Sequence, residues 1–380
     1  MTYQYQQTNR FFAQIARGLE DLGAEELAEL GARNTAPAYR GLYFDADADA
    51  LYRINYRARL ITRVLAPLTA FHCHNPDYLY RTARKIAWTD FFTVDQTFAV
   101  FANVSNSKIR HSKYAALRVK DAIVDGFRER EGRRPNVDTQ QPDVWINLYI
   151  ENNHATLSLD ASGGSLHRRG YRQQAGEAPM QETVAAAIIR LSGWQGEQPL
   201  YDPMCGSGTL LAEALMHYCR IPAGYLRKRF GFEALPDFDA ACWAAVQQEA
   251  DARMRPLPTG LIAGSDASAE AVATARTNLR ALPHGQHVAV TQKDYQAIER
   301  LEAATLITNP PYGKRLGRRE TIGAFYKNLG DFLKQRCTGS TAYLYVGDRT
   351  LLKKIGLRSS WKKPLFNGPL DGRLAKYELY

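Results

Sequence analysis

Apolar residues in the first 160 positions recur with two different periods. Short alternating or continuous apolar runs indicate strands, and apolar residues three or four positions apart indicate helices. The predicted strands are residues 11–15, 41–44, 98–104, 144–150 and 155–159. The predicted helices are residues 18–30, 46–60 and 114–130. This order predicts two small α/β units, the second of which ends in a hairpin across the polar residues 151–154.

The second half of the chain alternates strand and helix patterns, which predicts a parallel sheet with crossover helices. Residues 163–179, rich in glycine and arginine and interrupted by proline, mark the junction before it. The predicted strands are residues 199–202, 261–266, 288–291, 304–308 and 342–346. The first interval is longer than a βαβ unit needs, so we expect residues 219–258 to form a helical insertion.

The composition is that of a globular protein of two or three domains, with 380 residues, 45% of them hydrophobic and 23% charged. Lys and Arg outnumber Asp and Glu by 49 to 39, which favours a polyanionic partner. The five cysteines form no CxxC pair, so neither a disulfide framework nor a metal site is predicted. No signal-length or membrane-spanning apolar run occurs, and we expect a cytoplasmic protein, by default a monomer.

The clearest candidate for a cofactor site is the run LYDPMCGSGT at residues 200–209, a strand followed by a glycine turn and a helix. Gly206 and Gly208 allow the backbone to approach a ligand closely. An adenosine-type cofactor can then lie at the carboxyl end of the strand, where Asp202 can hold an ammonium group. Asp266 and Asp294, after the next two strands, suit ribose hydroxyls and an adenine amine. GxGxxG and P-loop patterns are missing, which argues against a nicotinamide enzyme or an NTPase.

The most specific motif is TNPPYG at residues 308–313, directly after the fourth strand of the second half. The side-chain oxygen of Asn309 and the carbonyl of Pro310 can accept hydrogens from the exocyclic amine of a base. Pro310 and Pro311 stiffen the turn, and Tyr312 offers a ring for stacking. Methyl transfer to such an amine needs positioning and no strong base. The motif therefore predicts a methyltransferase that uses S-adenosyl-L-methionine and takes an unpaired or extruded base.

The motifs DPMCGSGT, GSD, KD and NPPYG, in this order, resemble those of class I methyltransferases that act on guanine N2. The junction LHRRGYR (166–172), with EAP (177–179) and ET (182–183), is similar to that of the bacterial THUMP-domain 23S rRNA guanine-N2 methyltransferases. This resemblance covers nearly the whole chain. It implies a ferredoxin-like domain at 1–60, a THUMP RNA-binding domain at 61–165 and, at 166–380, a class I (Rossmann-like) α/β methyltransferase domain with a seven-stranded, mostly parallel sheet.

The resemblance also implies site residues. The implied cofactor-binding set is Glu182, Thr183, Asp202, Pro203, Cys205, Gly206, Gly208, Thr209, Asp266, Asp294 and Asn309. The implied catalytic set, which would hold the guanine, is Asn309, Pro310, Pro311 and Tyr312. Fused members of the family carry a second methyltransferase domain. This chain ends at Tyr380 without one, so the 7-methylguanine activity of that domain is expected to be absent.

Clustered basic residues suggest a surface for RNA phosphates, which position RNA without reading its sequence. The candidates are Lys108, Arg110, Lys113, Arg118 and Lys120 around the 114–130 helix, Arg168, Arg169 and Arg172 at the junction, and Lys314 and Arg315 after the catalytic turn. The favoured substrate is 23S rRNA. The alternatives are tRNA as substrate, a DNA adenine-N6 methyltransferase, and a non-catalytic RNA-binding assembly factor that keeps the fold.

Overall fold

The computed structural model of the chain describes residues 2–173, 180–311, 319–368 and 370–380. The chain divides into two compact units. Unit 1 comprises Met1–Ile15, Gly23–Leu166 and Arg227–Gln248, and unit 2 comprises Ala16–Leu22, His167–Leu226 and Glu249–Tyr380. Three of the predicted site residues, Tyr312, Lys314 and Arg315, lie outside the described residues, as do residues 177–179 of the junction motif.

Unit 1 is built on one continuous seven-stranded sheet. Its strands are β1 (Arg10–Ile15), β2 (Arg33–Ala38), β3 (Gly41–Asp45), β4 (Ile61–His72), β5 (Phe98–Ser105), β6 (Val144–Glu151) and β7 (His154–Asp160). Its helices are α1 (Gln4–Thr8), α2 (Glu20–Glu29), α3 (Ala48–Arg57), α4 (Pro76–Arg84) and α5 (Ser112–Glu131). The strand order is β2-β3-β1-β4-β7-β6-β5, and β5–β6 is the parallel pair.

Strand β4 joins the two α/β units that the sequence predicts. It pairs antiparallel with β1 on one side and with β7 on the other. The predicted hairpin is confirmed, because β6 and β7 pair antiparallel with Glu151 opposite His154. Asn152 and Asn153 between them have φ values of 50° and 63°. Asparagine tolerates this left-handed region better than most residues, which explains the tight turn.

Unit 2 contains a second seven-stranded sheet. Its strands are β8 (Leu200–Asp202), β9 (Ile262–Asp266), β10 (Ala289–Gln292), β11 (Thr305–Thr308), β12 (Thr341–Val346), β13 (Trp361–Asn367) and β14 (Leu370–Glu378). The helices of this unit are α6 (Glu182–Ser192), α7 (Thr209–Tyr218), α9 (Ala269–Arg280) and α10 (Arg319–Arg336). Most of α8 (Ala240–Ala252), in the insertion, belongs to unit 1.

The strand order of this sheet, β10-β9-β8-β11-β12-β14-β13, confirms the predicted mostly parallel architecture. Neighbours from β10 to β12 are parallel, and β14 is antiparallel to both β12 and β13. The chain leaves β8 towards β9 on one side and returns to β11 on the other. This reversal creates a crevice at the carboxyl ends of β8 and β11, the usual ligand position in such sheets.

The predicted helical insertion is only partly helical, and most of it belongs to unit 1. Within that unit, Phe232 lies beneath Tyr52 of α3 with ring centroids 4.6 Å apart, and Trp243 packs edge-on against Tyr56 at 5.3 Å. The Tyr52 hydroxyl accepts a hydrogen bond from the Asp239 amide at 2.9 Å. The segment is thus fixed by an aromatic cluster rather than by a long helix.

Across the described ranges, none of the helices combines the length and apolarity that crossing a membrane requires.

Candidate cofactor and catalytic site

A cavity of about 600 Å³ opens at the carboxyl ends of β8, β9 and β11 in unit 2. This volume is in the range of cofactor pockets. The predicted cofactor residues that line it are Asp202, Pro203, Cys205, Gly206, Thr209, Asp266, Asp294 and Asn309. The structure therefore brings together residues from four separate motifs. Glu182, Thr183 and Gly208 do not line the cavity.

The glycine turn has the backbone conformation that the sequence predicts. Gly206 and Gly208 have φ values of 52° and 79°, in the left-handed region where other residues are strained. Gly208 also packs closely, because a Cβ there would lie 3.1 Å from the Cβ of Ala275. Gly208 precedes the first residue of α7 and shapes the turn from behind the cavity wall.

Asp266 fixes the same turn from the neighbouring strand. One carboxylate oxygen accepts from the Gly206 amide at 2.9 Å, and the other accepts from the Ser268 amide at 2.9 Å. Each oxygen keeps a free lone pair for a ligand hydroxyl. The sequence indicated Asp266 as a ligand contact but gave no sign that it also holds the glycine turn.

Asp202 is the most deeply buried acid of the cavity, with 1% of its surface exposed. Burial, assisted by the nearby Asp266 carboxylate, raises its pKa to about 7, although the Met204 amide donates to it at 3.1 Å and favours the charged form. A carboxylate in this setting is stabilised by a cationic partner. A ligand ammonium group is such a partner, and Asp202 lines the space where it would lie.

Asp294 and its neighbours form the outer wall. The Asp294 side chain is exposed and accepts from the Gln296 amide at 2.8 Å. The adjacent Tyr295 ring is buried and meets Phe325 edge-on, with centroids 5.5 Å apart. Both rings line the cavity. The sequence analysis did not single out this aromatic pair. Phe325 lies on α10, 13 positions after Tyr312, and an apolar residue in a helix looks like an ordinary core residue.

The catalytic turn begins where β11 ends. Asn309 and Pro311 line the cavity, whereas Pro310 is buried and does not. The Pro311 carbonyl accepts a hydrogen bond from the Tyr326 hydroxyl at 3.3 Å, which anchors the turn to α10. The side-chain oxygen of Asn309 is buried and has no hydrogen-bond partner in the described part of the chain. Buried acceptors are normally satisfied, so this oxygen marks a position for a ligand donor.

The predicted RNA-binding residues separate into two groups in unit 1. Lys108, Arg110 and Lys113 are exposed, and no ion pair is found for them within the described ranges. Arg118 instead pairs with Asp77 at 2.8 Å, and Lys120 pairs with its neighbour Asp121. A guanidinium or ammonium already paired with a carboxylate has less to offer a phosphate.

The junction arginines of unit 2 differ even more. Arg168 is exposed, as predicted for an RNA contact. The prediction for Arg169 is wrong: the residue is only 2% exposed, and its guanidinium pairs with Glu213 at 3.4 Å inside the core. Arg172 is turned inward as well, with its side chain 15% exposed and paired with Glu182 at 3.0 Å. That pair also explains why the Glu182 carboxylate does not face the cavity.

Within the described residues, no group of three or more His, Cys, Asp or Glu side chains is arranged to hold a metal ion.

Three family descriptions match the chain in the order of its folded parts. The "RlmL ferredoxin-like domain" matches residues 10–65, the "THUMP domain" matches residues 73–160, and the "RMKL-like, methyltransferase domain" matches residues 169–376. The last of these matches covers more than half of the chain and includes all the cavity residues.

Relatives along the whole chain carry methyltransferase names. A Synechocystis sp. protein named as an RNA methyltransferase is 44% identical over 98% of this chain and 97% of its own length. The ribosomal RNA large subunit methyltransferase K/L of Photobacterium profundum is 40% identical over 97% of this chain and 53% of its own length. The chain thus spans about half the length of the K/L relatives.

Solved structures that superpose on nearly the whole chain also carry methyltransferase names. SMU.472, a methyltransferase crystallised with S-adenosylhomocysteine (SAH), superposes with a TM-score of 0.85 at 27% identity, over 100% of this chain and 99% of its own. A Listeria monocytogenes protein named as an N6-adenine-specific DNA methylase gives 0.82 at 27% identity, over 98% and 96%. SAH is what S-adenosylmethionine becomes when it gives up its methyl group, so the predicted cofactor is confirmed for this group of proteins. The chain belongs to the RMKL-like methyltransferase family, with an RlmL-type ferredoxin-like domain and a THUMP domain before its methyltransferase domain.

Proposed function

We propose that this chain transfers a methyl group from S-adenosylmethionine to the exocyclic N2 of a guanine in large-subunit ribosomal RNA. The observation that carries the proposal is the buried, unpartnered oxygen of Asn309 in the wall of the cavity that also contains Asp202. An acceptor held there can bind an amine hydrogen of a base. The names of the K/L relatives support ribosomal RNA as the substrate.

The cavity residues fit the proposed cofactor by their chemistry. When bound, S-adenosylmethionine supplies an electrophilic methyl group on a sulfonium. Asp202 would receive the methionine ammonium, Asp266 the ribose hydroxyls and Asp294 the adenine amine. Pro203, Cys205, Gly206 and Thr209 would form the remaining wall around these contacts.

Catalysis in this proposal depends on holding the guanine in place. Asn309 accepts a hydrogen from N2 and thereby directs the nitrogen lone pair at the methyl group. Pro310 and Pro311 limit the freedom of the turn, and Tyr312 is proposed to stack on the base. Formation of the N–C bond would accompany breakage of the methyl–sulfur bond, so that neutral SAH would leave and the cationic nitrogen would lose its proton to water. Alignment of this kind supplies much of the rate acceleration without a catalytic base.

The RNA contacts proposed for unit 1 are the exposed cations Lys108, Arg110 and Lys113, which lie within the residues matched by the THUMP domain. Arg168, Lys314 and Arg315 remain proposed RNA contacts on the methyltransferase side.

We propose domain boundaries at residues 60 and 165. A ribosomal RNA substrate would place the protein in the cytoplasm.

The proposal is tested by offering the purified protein S-adenosylmethionine labelled in its methyl group together with unmodified 23S rRNA, tRNA or DNA. Label should enter 23S rRNA and should be recovered after nucleoside digestion as N2-methylguanosine. Recovery of the same nucleoside from tRNA would support the proposed reaction and would identify tRNA, instead of 23S rRNA, as the substrate. Failure to label any nucleic acid, with or without SAH binding, would contradict the proposal.

A second candidate is adenine-N6 methylation of DNA, which the name of the Listeria monocytogenes structure favours. The Asn309 turn could hold the amine of adenine in the same way. The two functions differ in the product: N6-methyl-2'-deoxyadenosine from DNA would appear in the digest in place of N2-methylguanosine from RNA.

A further inference from the structure

The motif HRRGYR at residues 167–172 ends in Arg172, a residue to which the proposed function assigns no role. The Arg172 guanidinium donates to four acceptors. They are the Glu182 carboxylate at 3.0 Å, the Met180 carbonyl at 3.0 Å, the Thr209 hydroxyl at 3.1 Å and the Ser207 hydroxyl at 3.4 Å. The planar, five-donor guanidinium is suited to such divergent contacts, whereas an ammonium group is not.

Three of those acceptors belong to the cavity wall. Met180, Ser207 and Thr209 all line the cavity, and the last two bracket Gly208 in the glycine turn. Arg172 itself does not line the cavity, so it acts on a ligand only through the residues it holds. It therefore connects the segment before the first strand of the sheet to the turn after that strand.

A second set of contacts links the same HRRGYR motif to α7. Tyr171 donates to the Glu213 carboxylate at 3.2 Å, and Arg169 pairs with that carboxylate at 3.4 Å. Glu213 lies four residues after Thr209, one turn into α7. The three side chains of the motif thus contact α7 at its first residue, Thr209, and one turn later, at Glu213.

Ser207 is also held at its backbone. The side-chain amide of Asn278 donates to the Ser207 carbonyl at 3.0 Å, and its oxygen accepts from the Gln173 amide at 3.0 Å. The Ser207 hydroxyl therefore contacts Arg172 directly, and the Ser207 carbonyl is linked to Gln173 through Asn278. Gly206, by comparison, is fixed by Asp266. The turn is positioned from two sides, and Arg172 supplies the charged contact on one of them.

We infer that Arg172 is a positioning residue for S-adenosylmethionine, which holds the Ser207–Thr209 turn in its binding shape, and that it is not an RNA contact. This inference rests on the proposed function, because it assumes that the cavity binds that cofactor. The charge of the Arg172 side chain then serves the internal network rather than phosphate recognition.

The test measures SAH affinity by calorimetry, together with the separate KM values for S-adenosylmethionine and RNA. Arg172→Gln should weaken SAH binding at least tenfold, about 1.4 kcal/mol. It should raise KM for S-adenosylmethionine and leave KM for RNA unchanged. Arg172→Lys, which keeps the charge but reaches fewer acceptors, should be intermediate. Arg168→Gln, the same charge change on an exposed neighbour, should leave SAH affinity unchanged.

Arg172→Gln with normal SAH affinity and a raised KM for RNA would overturn the inference. A thermal melt of each variant checks folding, and if Arg172→Gln does not fold, the comparison rests on Arg172→Lys: unchanged SAH affinity in that variant would then overturn the inference. If the wild-type protein itself binds no SAH, the proposed function fails instead. The two failures are therefore distinguishable.

Discussion

At the scale of single residues, the chemistry of the cavity depends on a carboxylate that is costly to ionise. Asp202 is buried, and its pKa of about 7 means that an appreciable fraction carries a proton near neutral pH. A cationic ligand group would favour the ionised form. Ligand binding and the loss of this proton should therefore be coupled.

The coupling predicts how SAH affinity depends on pH. Below a pKa of about 7, binding must first ionise Asp202, so affinity should rise about tenfold between pH 6 and pH 8 and level off above that range. Asp202→Asn should bind more weakly and should lose this dependence. Calorimetric titration of both proteins across the range measures it. A wild-type affinity that stays constant from pH 6 to pH 8 would contradict the role of Asp202.

Residues of one type in one motif can have different roles, and this limits what a sequence reveals. Arg168, Arg169 and Arg172 looked alike as candidate phosphate contacts, yet Arg168 is exposed, Arg169 is in the core and Arg172 supports the glycine turn. The cavity residues after β8, β9 and β11 could be predicted because their motifs follow strands whose ends meet. Burial of an arginine depends on an acidic partner distant in sequence, here Glu213 or Glu182, which no local pattern indicates.

At the scale of elements, the strands that the sequence failed to predict mostly contain proline. They are β2, β4 and β13, with Pro37, Pro67 and Pro364. Proline lowers the expectation of a strand because it lacks an N–H for the ladder. In the structure β2 and β13 are edge strands, and Pro67 lies at a register shift within β4. These are the positions where a sheet accepts proline, but sheet position is a tertiary property. The strand β14 was also missed.

The stability of the insertion can be tested by a mutation in its aromatic cluster. Phe232 is fully buried, with its ring 4.6 Å from Tyr52 and 5.1 Å from Trp243. Phe232→Ala should lower the free energy of unfolding by about 3–5 kcal/mol, because it leaves a cavity in an aromatic cluster. Urea denaturation measures the change, and Tyr39→Ala, at a residue 76% exposed, is the control. Equal stability of the two variants would show that the segment is not fixed as described.

At the scale of the whole molecule, the formal net charge of +10 suits a nucleic acid partner. The individual Lys and Arg side chains are, however, not equally free to contact phosphates. Some cations, such as Arg118, are already paired with a carboxylate of the chain, here that of Asp77. The exposed cations of unit 1 should therefore contribute more to RNA binding than their equally basic neighbours.

This difference can be measured by salt dependence. Each phosphate contact contributes about 0.7 to 0.9 to the slope of log K against log salt concentration. Replacing Lys108, Arg110 and Lys113 together by Ala should reduce that slope by about 2 to 3. The double variant Arg118→Gln and Lys120→Gln should change it less. The reverse order of the two effects would argue against the proposed RNA-binding surface.

The role proposed for Asn309, holding a guanine amine in position for methyl transfer, can be tested by the rate of the transfer step. The single-turnover rate of N2-methylguanosine formation is compared between the wild-type protein and Asn309→Ala on the same RNA, alongside SAH affinity. Loss of one preorganised hydrogen-bonding group should slow transfer by at least about 100-fold. SAH affinity should stay within about threefold. An Asn309→Ala variant that forms the product at a rate near that of the wild type would show that Asn309 does not hold the base for transfer.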